Sequence, residues 1–442
     1  MICVSGATRL SSQGLPKGRL LYLTNQSPYP PQSGGQLREW QFLSRLGSRY
    51  EVHLVIVTPH PHRDVGHVQQ LLGCCRTVTF FAADPDAAGP GLPDRVGQFA
   101  CPEVGPYLVD FVRRHPVDFV HVEGYFLIQH VPAELGIPIF LAEENIEYQL
   151  DRAKQEIEGC TGAPWTVTRA LEQRAWGRAT RCGAVTPEDV ATIQAYLPAA
   201  PVHWLPPGCD HFSADDPGGT GLAPLPAGKR VVYTGNASWS PSRDATRYLL
   251  AEVWPRALAE VPDAHLVIAG SGQTAGELGL ATVDRSVHLC GVLPSLGPLL
   301  RSADVFVCPV RFGGGIKSKI LESLHAGCAV VGTPVGLQGL PPAGRQAVLV
   351  GTTAAELAEK IVALLRDDGL RNDLRARAVR AAADLTTWVE AARWLDAAWS
   401  AVLTDPGPAR LLAARSSLDS VPVDPYGPVE LRHLLEYPTG GH

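Results

Sequence analysis

Charge is scarce in this chain. Asp, Glu, Lys and Arg make up 19% of its 442 residues, against about 25% in an average soluble domain. The net charge is −6, so no basic field offers itself to nucleic acid or to an anionic membrane. No apolar run approaches the roughly 18 residues needed to span a bilayer, which leaves at most peripheral membrane contact. The first residues, MICVSGATRLSSQG, lack the apolar centre of a signal peptide. There is no CxxC, and the ten cysteines sit next to each other (Cys74, Cys75) or inside apolar runs (Cys290, Cys308). That is how reduced, buried thiols of a cytoplasmic protein are placed. The histidines His60, His62 and His67 share one loop but have no Cys or Asp at ligand spacing, so no metal site is expected there.

What the chain has in quantity is apolar residue, 45%, enough for buried sheets, and a length that suggests more than one domain. The 38 prolines and 44 glycines punctuate strand and helix patterns rather than forming one tract. Residues 1–17 read as an irregular leader. Apolar runs at 20–24 (LLYLT), 51–57 (EVHLVIV), 117–122 (VDFVHV) and 138–142 (PIFLA) alternate with helical patterns, the signature of a parallel sheet. Residues 18–206 are thus expected to form one Rossmann-like α/β domain. Residues 207–228 form a Pro/Gly-rich linker, and 229–385 form a second α/β domain. The helix at about 386–403 is expected to complete the first domain, and the tail 404–442 has no assigned structure.

The densest chemistry lies at 311–322 (RFGGGIKSKILE). It follows the strand pattern 304–310 (DVFVCPV) and opens a helix expected to run to about Ala326. Gly313, Gly314 and Gly315 let the backbone approach a ligand and turn its N–H groups inward. A helix start favours an anion. Lys317 and Lys319 in that first turn run against the helix dipole unless an anion lies between them and the loop. Glu322, three residues after Lys319, shares its face, where it is suited either to a surface Lys–Glu pair or to ribose hydroxyls.

Parallel strands present their ligands at their carboxyl ends. Those ends carry Gly34 and Gly35 after the first strand, then His121 and Glu123, then Glu144 and Asn145. In the second domain they carry Gly235 and Asn236, then Gly270. The string GSGQTA from Gly270 fits the dinucleotide fingerprint, but the next strand ends in Cys290-Gly291 where an NAD enzyme places an acid, so that reading is set aside.

Over roughly 19–403 the sequence resembles the GT-B fold glycosyltransferases, specifically family 4, the retaining nucleotide-sugar enzymes. The segments that carry the likeness are YPPQSGGQLR, EENIEYQLDR, RCGAVTPED, PPGCDHF, YTGNASWSPSRDA and the long CPVRFGGGIKSKILESLHAGCAVVGTPVGLQGL. The last matches a subgroup with a GGG-x-K-x-K-x-L-E pattern. The resemblance implies two Rossmann-like α/β domains facing across a cleft. It also implies transfer of a sugar, of the hexosyl type, from a UDP- or GDP-sugar to an acceptor hydroxyl, with retention and no cofactor. The acceptor would be a glycan, a lipid-linked saccharide or a small natural product. Glu322 matches the second of the family's paired glutamates, which implies ribose binding. Gly314 stands where the first would fall, and the family's Arg and Lys after the first strand of the second domain are absent, with Asn236 and Ser242 nearby. Arg311, Lys317 and Lys319 would then carry the diphosphate charge. His121 matches, by position, a sugar-contacting histidine. Two alternatives stay open: an epimerase or phosphorylase-like enzyme of the same fold, and a non-catalytic nucleotide-sugar binder.

Overall fold

The computed structural model describes residues 1–5, 15–159, 162–211 and 227–405. The chain divides into two compact units. One comprises Met1–Pro31, Gly35–Leu205 and the chain from Ala392 onward; the other comprises Pro206–Ala391 together with Gln32–Gly34.

The first unit is built on an eight-stranded sheet. Its strands are β1 (Ile2–Ser5), β2 (Arg19–Thr24), β3 (Glu51–Thr58), β4 (Thr77–Ala82), β5 (Phe119–Glu123), β6 (Ile139–Glu143), β7 (Arg181–Ala184) and β8 (Val202–Trp204). Their order across the sheet is β1-β4-β3-β2-β5-β6-β7-β8. All pairs are parallel except β1 with β4. Helices cover the sheet, so its strands read as near-continuous apolar runs: Leu20, Leu21, Tyr22 and Leu23 of β2 are all fully buried. The helix Trp165–Arg178 turns Val167, Leu171, Ala175 and Trp176 inward, the spacing of a single apolar stripe.

The second unit holds a six-stranded, all-parallel sheet of β9 (Arg230–Thr234), β10 (His265–Ala269), β11 (Val287–Gly291), β12 (Val305–Cys308), β13 (Val330–Gly332) and β14 (Val348–Val350). Its order is β11-β10-β9-β12-β13-β14. In both sheets the order reverses beside the first strand of the parallel series: between β2 and β5 in one, between β9 and β12 in the other. Open α/β sheets bind ligands at such reversals, beyond the strands' carboxyl ends. The glycine loop 311–317 leaves β12 and Gly235 follows β9, so the richest motif sits at the second reversal.

Three expectations are corrected. The start of the leader is not irregular: Ile2–Ser5 pairs antiparallel with β4, which closes a sheet edge that would otherwise present free backbone groups. Residues 6–14 lie outside the described residues. The supposed linker begins as packed structure of the second unit. The Cys209 amide donates to the Thr386 carbonyl at 3.2 Å, and the Asp210 carboxylate accepts from the Trp388 amide at 2.7 Å. The rest of that stretch, 212–226, lies outside the described residues, as does the tail from 406. The helix of the glycine motif begins only at Ser318 and ends at His325, so Lys317 precedes it. The last described helix, Trp388–Thr404, starts in the second unit and belongs to the first from Ala392 on. Its Trp399 is fully buried and meets Tyr50 edge-on at 5.0 Å between ring centroids.

Candidate active site

The loop after β12 takes its shape from two glycines. Gly313 has φ 149° and Gly315 has φ 61°, both in the region where a side chain is strained. Lys317 folds back over this loop, and its ammonium donates to the carbonyls of Gly314 at 2.9 Å and Gly315 at 2.8 Å. With those carbonyls drawn to the lysine, the loop is stapled to the helix that follows.

Lys319 sits deeper. Its ammonium meets the Tyr233 hydroxyl and Ser242 Oγ, each at 3.3 Å, and lies 4.8 Å from the centre of the Tyr233 ring. No carboxylate among the described residues lies within ion-pair distance of it. Burial works against its charge, but the surroundings, Tyr233 foremost, hold its pKa above the ordinary value. A Cβ on Gly235 would stand 2.8 Å from the Tyr233 hydroxyl and 2.9 Å from that ammonium, so a side chain there would displace the pair. Gly270 is forced in the same way: its φ is 131° and a Cβ there would come 2.1 Å from the Gly235 carbonyl oxygen. Lys319, Gly235 and Gly270 are thus brought together at the reversal point. Asn236 beside them turns its own loop, its Oδ1 accepting from the Ser238 amide at 2.9 Å.

Glu322, on the helix Ser318–His325, is buried but pairs with His211 Nε2 at 3.3 Å, not with Lys319. Arg311 is held by Asp244, with Nε donating to Oδ2 at 2.9 Å and Nη2 to the other oxygen. Its guanidinium lies 4.6 Å from the Tyr248 ring centre. Its charge is therefore already balanced.

At the carboxyl ends of β2, β5 and β6 the first unit gathers a second polar cluster. Glu123 accepts from Arg38 Nη1 at 2.8 Å, from His121 Nε2 at 2.8 Å and from the Tyr22 hydroxyl. Burial pushes its carboxyl up, but Arg38 foremost, with His121, overrides this and holds it at about 2. Glu39 goes the other way: burial, then Glu123 and Glu144, raise it well above the carboxylate range. Glu39 accepts from Gln26 Nε2 at 2.7 Å. Glu144 lies 3.7 Å from Arg38 and directly against Gly35, where a Cβ would stand 2.9 Å from Oε2. Gly34 opens the helix Gly34–Leu46, and Asn145 donates to Glu147 at 3.3 Å.

Residues 228–367 match the family described as Glycosyl transferases group 1. Residues 228–367 are a glycosyltransferase group 1 domain. The chain that carries it is a glycosyltransferase, and sugar transfer is its activity. Solved structures agree in fold. Sucrose-phosphate synthase from Thermosynechococcus elongatus superposes with a TM-score of 0.62 at 16% identity, over 90% of this chain and 100% of that one. WaaG, a glycosyltransferase involved in lipopolysaccharide biosynthesis, gives 0.60 at 17%, over 87% and 99%. HepE from Anabaena, solved in complex with UDP, gives 0.58 at 14%, over 87% and 100%. The likeness shows two Rossmann-like halves of the GT-B type. No curated protein matches the chain in sequence.

Within this glycosyltransferase one expected site residue is corrected. His121 does not face a sugar: it is fully buried, its Nε2 is taken by Glu123 and its Nδ1 by the indole of Trp399 at 3.0 Å. Sequence reasoning missed Arg38, Asp244 and His211. Arg38 had a signal, since it lies one helical turn past the Gly34-Gly35 pair and so beside the strand ends. Asp244 and His211 are single polar residues without a periodic context, and only the fold shows what they meet. Among the described residues no helix is long and apolar enough to cross a membrane.

Proposed function

We propose that the protein transfers a sugar from a nucleoside diphosphate sugar, UDP- or GDP-linked, to an acceptor hydroxyl with retention of anomeric configuration. The observation that carries this reading is Lys319: a buried ammonium whose partners are two hydroxyls and a ring face, in the first turn of the helix that follows the glycine loop. A buried charge without a counter-ion is costly, and the missing negative charge is what a diphosphate supplies. Leaving-group departure puts charge on that diphosphate. The N-terminus of the helix Ser318–His325 and the Lys319 ammonium are the groups suited to stabilise it. The Glu322 carboxylate, one turn along the same helix, takes the ribose hydroxyls.

Retention follows if the acceptor attacks from the face the diphosphate leaves, with a donor phosphate oxygen taking the acceptor proton. No flanking pair of carboxylates is then needed, and the lysine neutralises charge without a metal. HepE is solved with UDP, and with UDP and glucose, which supports a nucleotide-sugar donor here. The acceptor, a glycan, a lipid-linked saccharide or a small natural product, meets the first unit, where the partly exposed Glu144 offers a carboxylate that binds hydroxyls. The protein works without a cofactor, in the cytoplasm.

Calorimetric titration with UDP, GDP and ADP tests the donor site. Lys319→Met should weaken the preferred nucleotide at least about tenfold, or ~1.4 kcal/mol. Unchanged affinity in Lys319→Met, or no binding of any nucleotide at millimolar concentration, would remove the reading. Retention is checked separately, by NMR of the product's anomeric proton once a donor is known.

A further inference from the structure

The stretch Pro206 to His211 packs tightly on the start of the helix Trp388–Thr404. A Cβ on Gly208 would stand 2.4 Å from the Trp388 amide nitrogen, so only glycine permits this approach. Two residues on, Asp210 accepts from that same amide at 2.7 Å, which fixes the chain direction into His211. The Trp388 indole N–H points to His211 Nδ1 at 3.5 Å, the outer limit of a hydrogen bond. With Nδ1 as acceptor, the ring proton sits on Nε2, and Nε2 lies 3.3 Å from Glu322 Oε1. Among the described residues no side chain or backbone group makes a hydrogen bond of good geometry to the Glu322 carboxylate; the His211 ring at 3.3 Å is the polar group against Oε1, and Oε2 is left for a ligand. Both side chains are largely enclosed, His211 at 15% and Glu322 at 10% exposure.

We propose that His211 is a positioning residue for sugar-ring recognition in the donor: its Nε2–H holds one oxygen of Glu322 and turns the other toward the vicinal ribose hydroxyls. This rests on the ribose role given to Glu322 above. A carboxylate on a flexible side chain recognises a diol well only when its plane is fixed, because otherwise ordering it consumes the gain. The histidine supplies that fixation from a segment outside the nucleotide-binding sheet. It thereby sets how strongly the site distinguishes ribonucleotides from deoxynucleotides, not how strongly it holds the diphosphate.

The test measures dissociation constants of the full chain for UDP, GDP and ADP, each beside its 2′,3′-dideoxy form. In the wild type the preferred nucleotide should bind about tenfold or more tightly than its dideoxy form. His211→Ala should shrink that ratio to about threefold or less while leaving dideoxynucleotide affinity unchanged. His211→Gln, whose amide reaches the same carboxylate oxygen, should restore most of it. A merely structural role for His211 would weaken both ligands equally and keep the ratio, which overturns the proposal. So does a His211→Ala protein whose ratio equals the wild type's while Glu322→Gln abolishes it. If Glu322→Gln itself leaves the ratio intact, or no nucleotide binds, the ribose role of Glu322 fails and the role of His211 falls with it.

Discussion

The indole nitrogen of Trp399 donates to Nδ1 of His121 at 3.0 Å. The bond settles the histidine's tautomer. Nδ1 is the acceptor, so Nε2 carries the proton and gives it to Glu123 at 2.8 Å. Burial, opposed by Glu123, lowers the His121 pKa, consistent with a neutral ring between an indole and a carboxylate. Trp399→Phe keeps the ring but leaves Nδ1 unpaired in the core. The expected cost is about 1–3 kcal/mol, read as a lowered urea midpoint with an unchanged m-value. A midpoint equal to the wild type's would show that the bond does not hold this network together.

Acid should destabilise the first unit through His130. Burial, opposed by the Phe99 carbonyl that accepts from its Nε2 at 2.8 Å, puts its pKa at about 4, below the ordinary 6.5. Between those values the unfolded chain binds the proton and the folded one does not. Stability contributed by the neutral ring is therefore full above pH 6.5 and is lost as pH falls toward 4, at up to about 1.4 kcal/mol per pH unit. His130→Gln keeps an N–H donor and cannot titrate. The difference in unfolding free energy between wild type and His130→Gln should change across pH 7 to 5 in favour of the variant. A pH-independent difference would refute the assignment.

Gly270→Ala should damage the second unit and, with it, the nucleotide binding proposed for it. The backbone strain at φ 131° costs about 1–3 kcal/mol, and the new methyl collides with the Gly235 carbonyl. The expected result is a lower melting temperature and weakened nucleotide binding. A variant that melts and binds like the wild type would show that β9 and β10 can part at little cost.

Arg311 is expected to serve phosphate only when Asp244 releases it. Asp244→Asn removes the opposing charge, and because the pair is partly exposed the stability loss should stay near 1 kcal/mol. Nucleoside diphosphate affinity, measured by calorimetry, should rise by about fivefold, or ~1 kcal/mol, and the gain should vanish in Asp244→Asn with Arg311→Met. No gain in the single variant confines Arg311 to its ion pair with Asp244.

The parallel strands were legible because both their faces are covered, so β2 and β3 appear as unbroken apolar runs. Strand β1 was not: its four residues pair across the sheet edge with β4, a contact distant in sequence that leaves no local period. The glycine loop announced itself through composition, since only positive φ and close approach explain glycines before two lysines. What those lysines touch was not legible. Lys317 turns back on its own loop and Lys319 meets Tyr233 and Ser242, partners 86 and 77 residues away. His121 was misjudged for the same reason. Its place at a strand end suggested access, but the indole that encloses it comes from 278 residues later.

That late indole has a consequence for synthesis. The first unit is begun by residue 1 and needs the helix that starts at Trp388 to cover Tyr50 and His121. The second unit, by contrast, is drawn almost wholly from Pro206–Ala391. Domains generally fold in order as they leave the ribosome, but here the half that is made first is finished last. Until the closing turns of Trp388–Thr404 arrive, its sheet must wait with an aromatic surface uncovered, and a chain cut short before Ala392 would carry the whole span of the second unit and a first unit that cannot close.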